Sequence, residues 1–175
     1  MLNWKHLPLI LAIATSGIQL PSGAQESTNQ IPVEKTTTKY IRARIVKVAK
    51  GKHIPPALAL AIAETESHFR YNVPDRVEPK ISDSSVGIFQ LLTGTAESVG
   101  FVGTQEQLRH PDVNIHFGIE YLSKCHKRFG TNVTRVACCY NAGEFATDSV
   151  CENDENVLQY QDNVNTAYQK WSKRL

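Results

Sequence analysis

A run of strong helix formers behind two prolines constrains the fold more than any other feature of this sequence. Pro55 and Pro56 precede a segment rich in alanine, leucine and isoleucine that extends from Ala57 to Phe69. These residue types have high helix propensity, and proline is well tolerated in the first turn of a helix, where its missing N–H loses no partner. The segment therefore predicts a helix that begins at the prolines.

Other segments also show the spacing of amphipathic helices, and no alternating run indicates a convincing strand. The predicted helices cover residues 40–50, 57–69, 92–99, 112–129, 133–140 and 155–171. Residues 71–86 hold prolines, aspartates and serines without a period, which predicts a long surface loop. Such loops in compact domains tend to be functional. The predicted fold class is therefore mainly α.

The N-terminus has the pattern of a secretory signal peptide, which we predict over residues 1–24. Lys5 supplies a positive start, residues 7–18 are mainly apolar, and the small residues Ser22 and Ala24 match a cleavage site. The apolar stretch is shorter than the roughly 20 residues that span a bilayer. The pattern predicts a periplasmic or secreted protein without stable membrane insertion after cleavage, and an uncleaved anchor is the alternative.

Length and charge restrict what the remainder can be. Residues 25–38 are polar and aperiodic, which predicts a tail, and residues 39–175 are enough for one domain with one core. A hydrophobic content of 41% with 21% charged residues excludes a disordered chain and a multi-span membrane protein. The formal net charge of +2 leaves no surplus to drive binding to nucleic acid or to an anionic membrane.

Four cysteines lie in the last third of the chain, at Cys125, Cys138, Cys139 and Cys151. An even number in an exported protein usually forms disulfides. The adjacent Cys138 and Cys139 are poor partners for each other. Two connectivities stay open: Cys125 bonds either Cys138 or Cys139, and Cys151 bonds the other.

A zinc site is the alternative use of these cysteines. The histidines that could join them are His110, His116 and His126. The chain has no Cys-x-x-Cys spacing and no helical pair of histidines four residues apart, which zinc sites commonly use. The sequence therefore predicts no metal site.

Helical geometry separates two glutamates of the predicted helix. Taking Leu58 as zero and advancing by about 100° per residue, Glu66 falls at about 80°, among apolar positions. Glu64 falls at about 240°, where His68, four residues on, is the predicted surface partner. A carboxyl group in a partly desolvated apolar wall has a raised pKa, so it can give and then retrieve a proton near neutral pH. Glu66 is therefore the candidate general acid and base.

Three short motifs occur in order along the chain: AIAETESHF at 61–69, GIFQ at 87–90 and YNAG at 140–143. A stretch that begins PDVNI at Pro111 links the last two, and Tyr160 follows in the final helix. Together these motifs resemble those of the lytic transglycosylases with a soluble-lytic-transglycosylase (SLT) domain, which cut the glycan strands of peptidoglycan. The resemblance extends from Tyr40 to the C-terminus.

The resemblance implies a goose-type lysozyme/SLT fold, a single lysozyme-like domain with a substrate cleft. Glu66 matches the catalytic glutamate of the family, and no metal or organic cofactor is required. The implied substrate-binding residues are Ser67, Gly87, Gln90, Tyr140, Asn141 and Tyr160. Two positions depart from the family pattern, with Phe89 where methionine is usual and Cys139 where a small residue such as alanine is common.

The family chemistry implies a reaction that needs only one carboxyl group. Glu66 would protonate the glycosidic oxygen between MurNAc and GlcNAc and then take a proton from the muramoyl C6 hydroxyl, which leaves a 1,6-anhydroMurNAc end. The implied partner is the glycan strand, and by analogy a secretion, conjugation or phage apparatus.

Two alternatives follow from the same residues. The first is a lysozyme-type hydrolase on this fold, in which Asp75, Glu78 or Asp83 of the loop activates water. The second is a noncatalytic peptidoglycan-binding component of a secretion apparatus that keeps the fold.

Overall fold

Helices dominate the described part of the chain, which confirms the mainly α fold class. The computed structural model describes residues 30–78 and 83–175, so the predicted signal peptide and residues 25–29 of the predicted tail lie outside the described residues. Residues Ile31–Leu175 form one compact unit. No helix among the described residues is both long enough and apolar enough to cross a membrane.

The described helices follow in chain order as α1 (Val33–Thr36), α2 (Thr38–Gly51), α3 (Pro56–Ser67), α4 (Thr93–Glu97), α5 (Gln105–Arg109), α6 (Pro111–Phe129), α7 (Val133–Ala142), α8 (Asp148–Asn153) and α9 (Glu155–Ser172). The sequence did not predict the short helices α1, α5 and α8. Strands β1 (Arg76–Glu78) and β2 (Asp83–Ser85) pair antiparallel, with Arg76 opposite Ser85. The predicted loop at 71–86 therefore needs correction, because it contains this small sheet.

Helix α3 lies at the centre of the core, as its composition predicts. Every residue from Ala57 to Ala63 is buried, and the helix packs against both α2 and α9. It ends at Ser67 rather than at Phe69, because His68 and Phe69 adopt positive φ angles of 53° and 63°. The buried Phe69 ring then meets Trp171 of α9 edge-on, with 5.7 Å between ring centroids. The turn thus fixes the end of the helix that carries both glutamates.

The predicted partner of Glu64 was wrong. Its Oε2 accepts a hydrogen bond from Nε1 of Trp171 at 2.8 Å and forms an ion pair with Lys170, whereas His68 is exposed after the helix. Both partners come from α9, more than 100 residues along the chain. A helical-wheel argument covers only neighbours on the same helix, so it could not find them.

Two disulfides hold α7 between its neighbours. Cys125 of α6 bonds Cys139, and Cys138 bonds Cys151 of α8. The structure thus selects one of the two connectivities that the sequence left open. All four cysteines are oxidised, so none is a free thiolate for a metal ion.

Candidate active site

A cavity of about 720 Å³ brings together most of the residues predicted for the site. Its walls are formed by the end of α3, by strands β1 and β2 with the turn after β2, and by α7. One face of α9 forms the opposite wall. The lining residues are Thr65, Glu66, Arg76, Ser85, Gln90, Leu91, Leu92, Thr95, Tyr121, Tyr140, Asn141, Ala142, Gly143, Asn156, Gln159, Tyr160 and Asn163. Glu66 is the only acidic residue of this lining among the residues whose side chains the structure describes.

Glu66 has the electrostatics of a group that changes protonation near neutral pH. Burial raises its pKa to about 7, although a hydrogen bond from Tyr160 and the positive charge of Arg76 both act to lower it. The Tyr160 hydroxyl donates to Oε1 of Glu66 at 2.5 Å. Near pH 7 the carboxyl group is therefore present in both forms, as a general acid and base requires.

Tyr140 and Tyr160, two of the three tyrosines in the described lining of the cavity, are hydrogen-bond donors. Burial is the main cause that raises the pKa values of Tyr140 and Tyr160 well above the ordinary range, and the negative charge of Glu66 raises both further. The Tyr140 hydroxyl donates to the carbonyl oxygen of Phe89 at 3.0 Å, and its ring lies against Tyr121. Both hydroxyls therefore keep their protons at any pH at which Glu66 titrates.

The turn between Val86 and Leu91 forms one wall and presents Gln90. The backbones of Val86 and Leu91 bond to each other, while Gly87 and Gln90 take positive φ angles of 74° and 43°. Nε2 of Gln90 donates to the carbonyl oxygen of Gly87 at 2.8 Å, and its Oε1 accepts from the hydroxyl of Ser85. The Gln90 side chain thus lines the cavity while it stabilises its own turn.

Ser67 and Gly87 are predicted substrate-binding residues that do not line the cavity. The Ser67 hydroxyl is buried and donates to the carbonyl oxygen of Ile88 at 2.8 Å, which ties α3 to the turn. Gly87 is needed because a Cβ there would lie 2.6 Å from side-chain atoms of Asn114. Both residues therefore contribute to the structure of the turn that forms this wall, although neither lines the cavity.

Asn114 of α6 is the residue of this wall to which the sequence argument gave no role. Its Oδ1 accepts from the amide of Phe89 at 2.8 Å, and its Nδ2 donates to the carbonyl oxygens of Val86 at 2.9 Å and Leu108 at 3.1 Å. The side chain is fully buried. Asn114 lies within the PDVNI stretch, and this motif is the sequence signal that could have identified it.

Asn141 occupies the cavity rim. It is exposed at the end of α7, and Asn156, Gln159 and Asn163 of α9 also line the cavity. Side-chain amides both donate and accept hydrogen bonds, so this part of the wall suits a neutral polar ligand rich in hydroxyl and amide groups.

Two of the three acidic residues considered for water activation, Asp75 and Asp83, lie outside the cavity lining. Both oxygens of Asp75 accept hydrogen bonds from the guanidinium of Arg109, at 2.5 and 2.8 Å, and this pairing lowers the pKa of Asp75. Asp83 accepts hydrogen bonds from the backbone amides of Ser84 and Gly94. Neither carboxylate lines the cavity. The side chain of Glu78 is not among those described.

No group of three or more His, Cys, Asp and Glu side chains within 30–78 and 83–175 could hold a metal ion. His110, one of the histidines considered for a zinc site, lies at the start of α6. Its backbone carbonyl oxygen accepts a hydrogen bond from the backbone amide of Asn114.

Comparison with known proteins gives a consistent set of relatives. The family described as Transglycosylase SLT domain matches residues 44–163. The chain is 32% identical over 103 residues to the soluble lytic murein transglycosylase of Escherichia coli (strain K12), which covers 55% of this chain and 15% of that protein.

Two solved structures have the same fold over most of this chain. The X-ray structure of an inactive glutamate-to-glutamine mutant of lytic transglycosylase Slt from Pseudomonas aeruginosa has a TM-score of 0.61 at 25% identity, over 76% of this chain and 24% of that one. A 70-kDa soluble lytic transglycosylase in complex with bulgecin A has a TM-score of 0.51 at 26% identity, over 74% and 20%. This chain thus spans less than a quarter of the length of each of these relatives.

Proposed function

Because the chain belongs to the transglycosylase SLT domain family, we propose that it is an exported peptidoglycan lytic transglycosylase. In this proposal the enzyme cleaves the β-1,4 bond between MurNAc and GlcNAc and leaves a 1,6-anhydroMurNAc end. Glu66 is the general acid and base, and the cavity around it holds the glycan strand.

The observation that carries the proposal is the single carboxyl group in the described lining of the cavity. Most glycosidases need two, one to protonate the leaving oxygen and one to act as nucleophile or to activate water. No other acidic residue of the described part of the chain lines the cavity, and the Glu66 pKa of about 7 suits a group that first gives a proton and then takes one. A reaction in which the substrate supplies its own nucleophile fits this arrangement.

In the first step, the protonated Glu66 donates its proton to the glycosidic oxygen, and the bond between that oxygen and C1 of MurNAc breaks. Positive charge develops at C1 and the ring oxygen. The ionised Glu66 stabilises this charge, and we assign the amide groups of Gln90 and Asn141 to orienting the sugar.

In the second step, the C6 hydroxyl oxygen of the same MurNAc bonds to C1, and its proton passes to the carboxylate of Glu66. The 1,6-anhydro ring closes without consumption of water, and Glu66 is again protonated for the next cycle. Tyr160 holds the carboxyl group in place through its 2.5 Å hydrogen bond. Tyr140 braces the wall that carries Gln90 through its bond to Phe89.

The test is mass spectrometry of the products released from purified peptidoglycan. Anhydro ends lack the water that a hydrolase adds, so we expect products lighter by one water than those of a lysozyme. Products with reducing MurNAc ends would instead support a lysozyme-type hydrolase. Binding without any cleavage by the wild-type protein would support a noncatalytic component.

Two variants of the same helix assign the chemistry to one residue. Glu66→Gln is expected to abolish turnover and to leave glycan binding intact, because it removes the ionisable group but keeps its shape. Glu64→Gln removes a carboxylate that lies outside the cavity lining and is expected to retain cleavage. Unchanged clearing of cell wall by Glu66→Gln would contradict the assignment.

Export through residues 1–24 and association with a secretion, conjugation or phage apparatus complete the proposal. Their support comes from the sequence pattern and from family analogy. Cleavage before Gln25 is checked by the intact mass of the protein recovered from the periplasm.

A further inference from the structure

Helix α2 carries five basic residues and no acidic one. Two of them face the protein: the guanidinium of Arg42 lies 4.5 Å from the centroid of the Phe69 ring, and Nε of Arg44 donates to Asp112 at 2.9 Å. The other three are the exposed residues Lys39, Lys47 and Lys50, which form no ion pair with any residue in the described part of the chain.

These three lysines share one side of α2. At about 100° per residue, Lys47 and Lys50 lie about 80° and 20° around the helix from Lys39. At a rise of about 1.5 Å per residue, the first and last Cα atoms are about 16 Å apart. The exposed residue between them is the small Ala43. We call Lys39, Lys47 and Lys50 the lysine face of α2.

The small net charge of the chain conceals a separation of charge. Residues 144–162 contain six acidic residues and no basic one. Part of this segment belongs to α9, which lines the catalytic cavity. Glu144 and Asp148 of this segment pair with Lys124 and Arg135, so a polyanion meets the remaining negative charge beside the cavity and unpaired positive charge at the lysine face. The lysine face therefore presents three cations, unpaired within the described part of the chain, to a polyanion on one side of one helix.

A recess lies beside the lysine face. It has a volume of about 350 Å³ and is lined by Tyr40, Ala43, Arg44, Lys47 and Asp112. The Asp112 carboxylate already accepts hydrogen bonds from Lys35, Tyr40 and Arg44. Its negative charge is therefore matched within the protein, and Lys47 at the edge of the recess has no such partner.

We propose that the lysine face is a second, noncatalytic contact with the wall polymer, and that it binds the free carboxylates of the stem peptides. This inference rests on the proposed function, which supplies the polymer. Peptidoglycan carries such carboxylates repeatedly along each strand, so a row of lysines meets several of them. Each exposed contact is weak, but several contacts to one tethered polymer reinforce one another.

The experiment measures binding to purified sacculi at low ionic strength, with Glu66→Gln as the background so that the wall stays intact. The test variant adds K47Q/K50Q. The matched control adds K127Q/K173Q, which removes the same charge from two exposed lysines outside α2. We expect the test variant to bind about tenfold more weakly and the control to change by less than about twofold.

A second wall sample identifies the ligand, with its carboxylates converted to neutral methylamides. The difference between test and control variants is expected to disappear on this sample. Equal binding of the two variants to untreated sacculi overturns the proposal, and so does a difference that persists on the amidated wall. A loss of binding to phosphatidylglycerol vesicles without a loss on sacculi also overturns it, in favour of a membrane contact.

The outcome is independent of the cleavage test. Product release by the wild-type protein and by Glu66→Gln is measured in parallel by mass spectrometry, and it tests the proposed function alone. If Glu66→Gln cleaves, the catalytic assignment of Glu66 fails, and if the wild type releases no anhydro products, the proposed function fails. In either case, binding measured on ice to untreated and amidated walls still decides the role of the lysine face.

Discussion

Glu66→Gln is expected to stabilise the fold, and by more in mild base than in mild acid. Burial raises the pKa of Glu66 from its usual 4.5 to about 7 in the folded chain. Between these values the folded state holds a proton that the unfolded state has already released. The free energy of unfolding therefore falls as the pH rises through this window and is level above it. Glutamine carries no charge, so the free energy of unfolding of the variant does not fall in this way as the pH rises.

The structure sets the size of the effect. The difference between about 7 and 4.5 corresponds to about 3 kcal/mol, at about 1.4 kcal/mol per pKa unit. The carbonyl oxygen of a glutamine can still accept the hydrogen bond from Tyr160, so the substitution mainly removes the charge. We expect Glu66→Gln to gain about 3 kcal/mol over the wild type at about pH 8 and little at about pH 4.

Glu64 is the matched control, because it lies on the same helix and has the opposite pKa direction. Burial alone would raise its pKa, but hydrogen bonds from Lys170 and Trp171, with the nearby positive charges, lower it overall. Its stabilising contribution is present above the unfolded pKa and is lost as the pH falls. Glu64→Gln should therefore destabilise the protein at about pH 8, with a smaller effect at about pH 4.

The assay is urea unfolding of the oxidised protein at several pH values, with wild type and both variants measured together. Opposite signs for the two variants above pH 7 are the expected result. The reasoning is refuted if Glu66→Gln has the same effect on the free energy of unfolding in acid and in base, or if both variants change stability in one direction.

Three further predictions concern the support of the cavity. Tyr160→Phe removes a hydrogen bond that lowers the pKa of Glu66, so the basic limb of the pH–rate profile should move up by about one pH unit; an unmoved limb would contradict this. Asn114→Ala leaves three buried backbone groups without their partner and should cost about 3 kcal/mol in urea unfolding. Replacement of Cys125 and Cys139 by serine should cost about 3 kcal/mol and also lower cleavage, because Cys139 adjoins the cavity wall; full activity would argue against that coupling.

Local patterns predicted the central helix and selected Glu66 on it as the candidate general acid and base. The prolines and strong helix formers of α3 act over a few residues, and the helical period alone separated Glu66 from Glu64. Family motifs then pointed to Tyr140 and Tyr160, which the structure brings to the same cavity as Glu66. These inferences share one basis, which is that the deciding interactions are short in sequence or are recorded in an ordered set of motifs.

The remaining features depend on contacts between distant residues. The partners of Glu64 lie on α9, and the hydrogen bonds of Asn114 reach Val86 and Phe89 in the turn after β2 and Leu108 in α5. The sheet has only three residues in each strand, too few for an alternating pattern. The sequence also could not choose between the two disulfide pairings, because neighbouring cysteines differ by a single position along the chain.

The two disulfides of α7 affect when this part of the fold can be completed in a cell. Cys138 and Cys139 face different helices, and the next residue, Tyr140, belongs to the cavity. In a reducing cytosol neither bond would persist. If the protein is exported as proposed, a newly made copy would lack both disulfides until it reached an oxidising space, and completion of this wall would then depend on export.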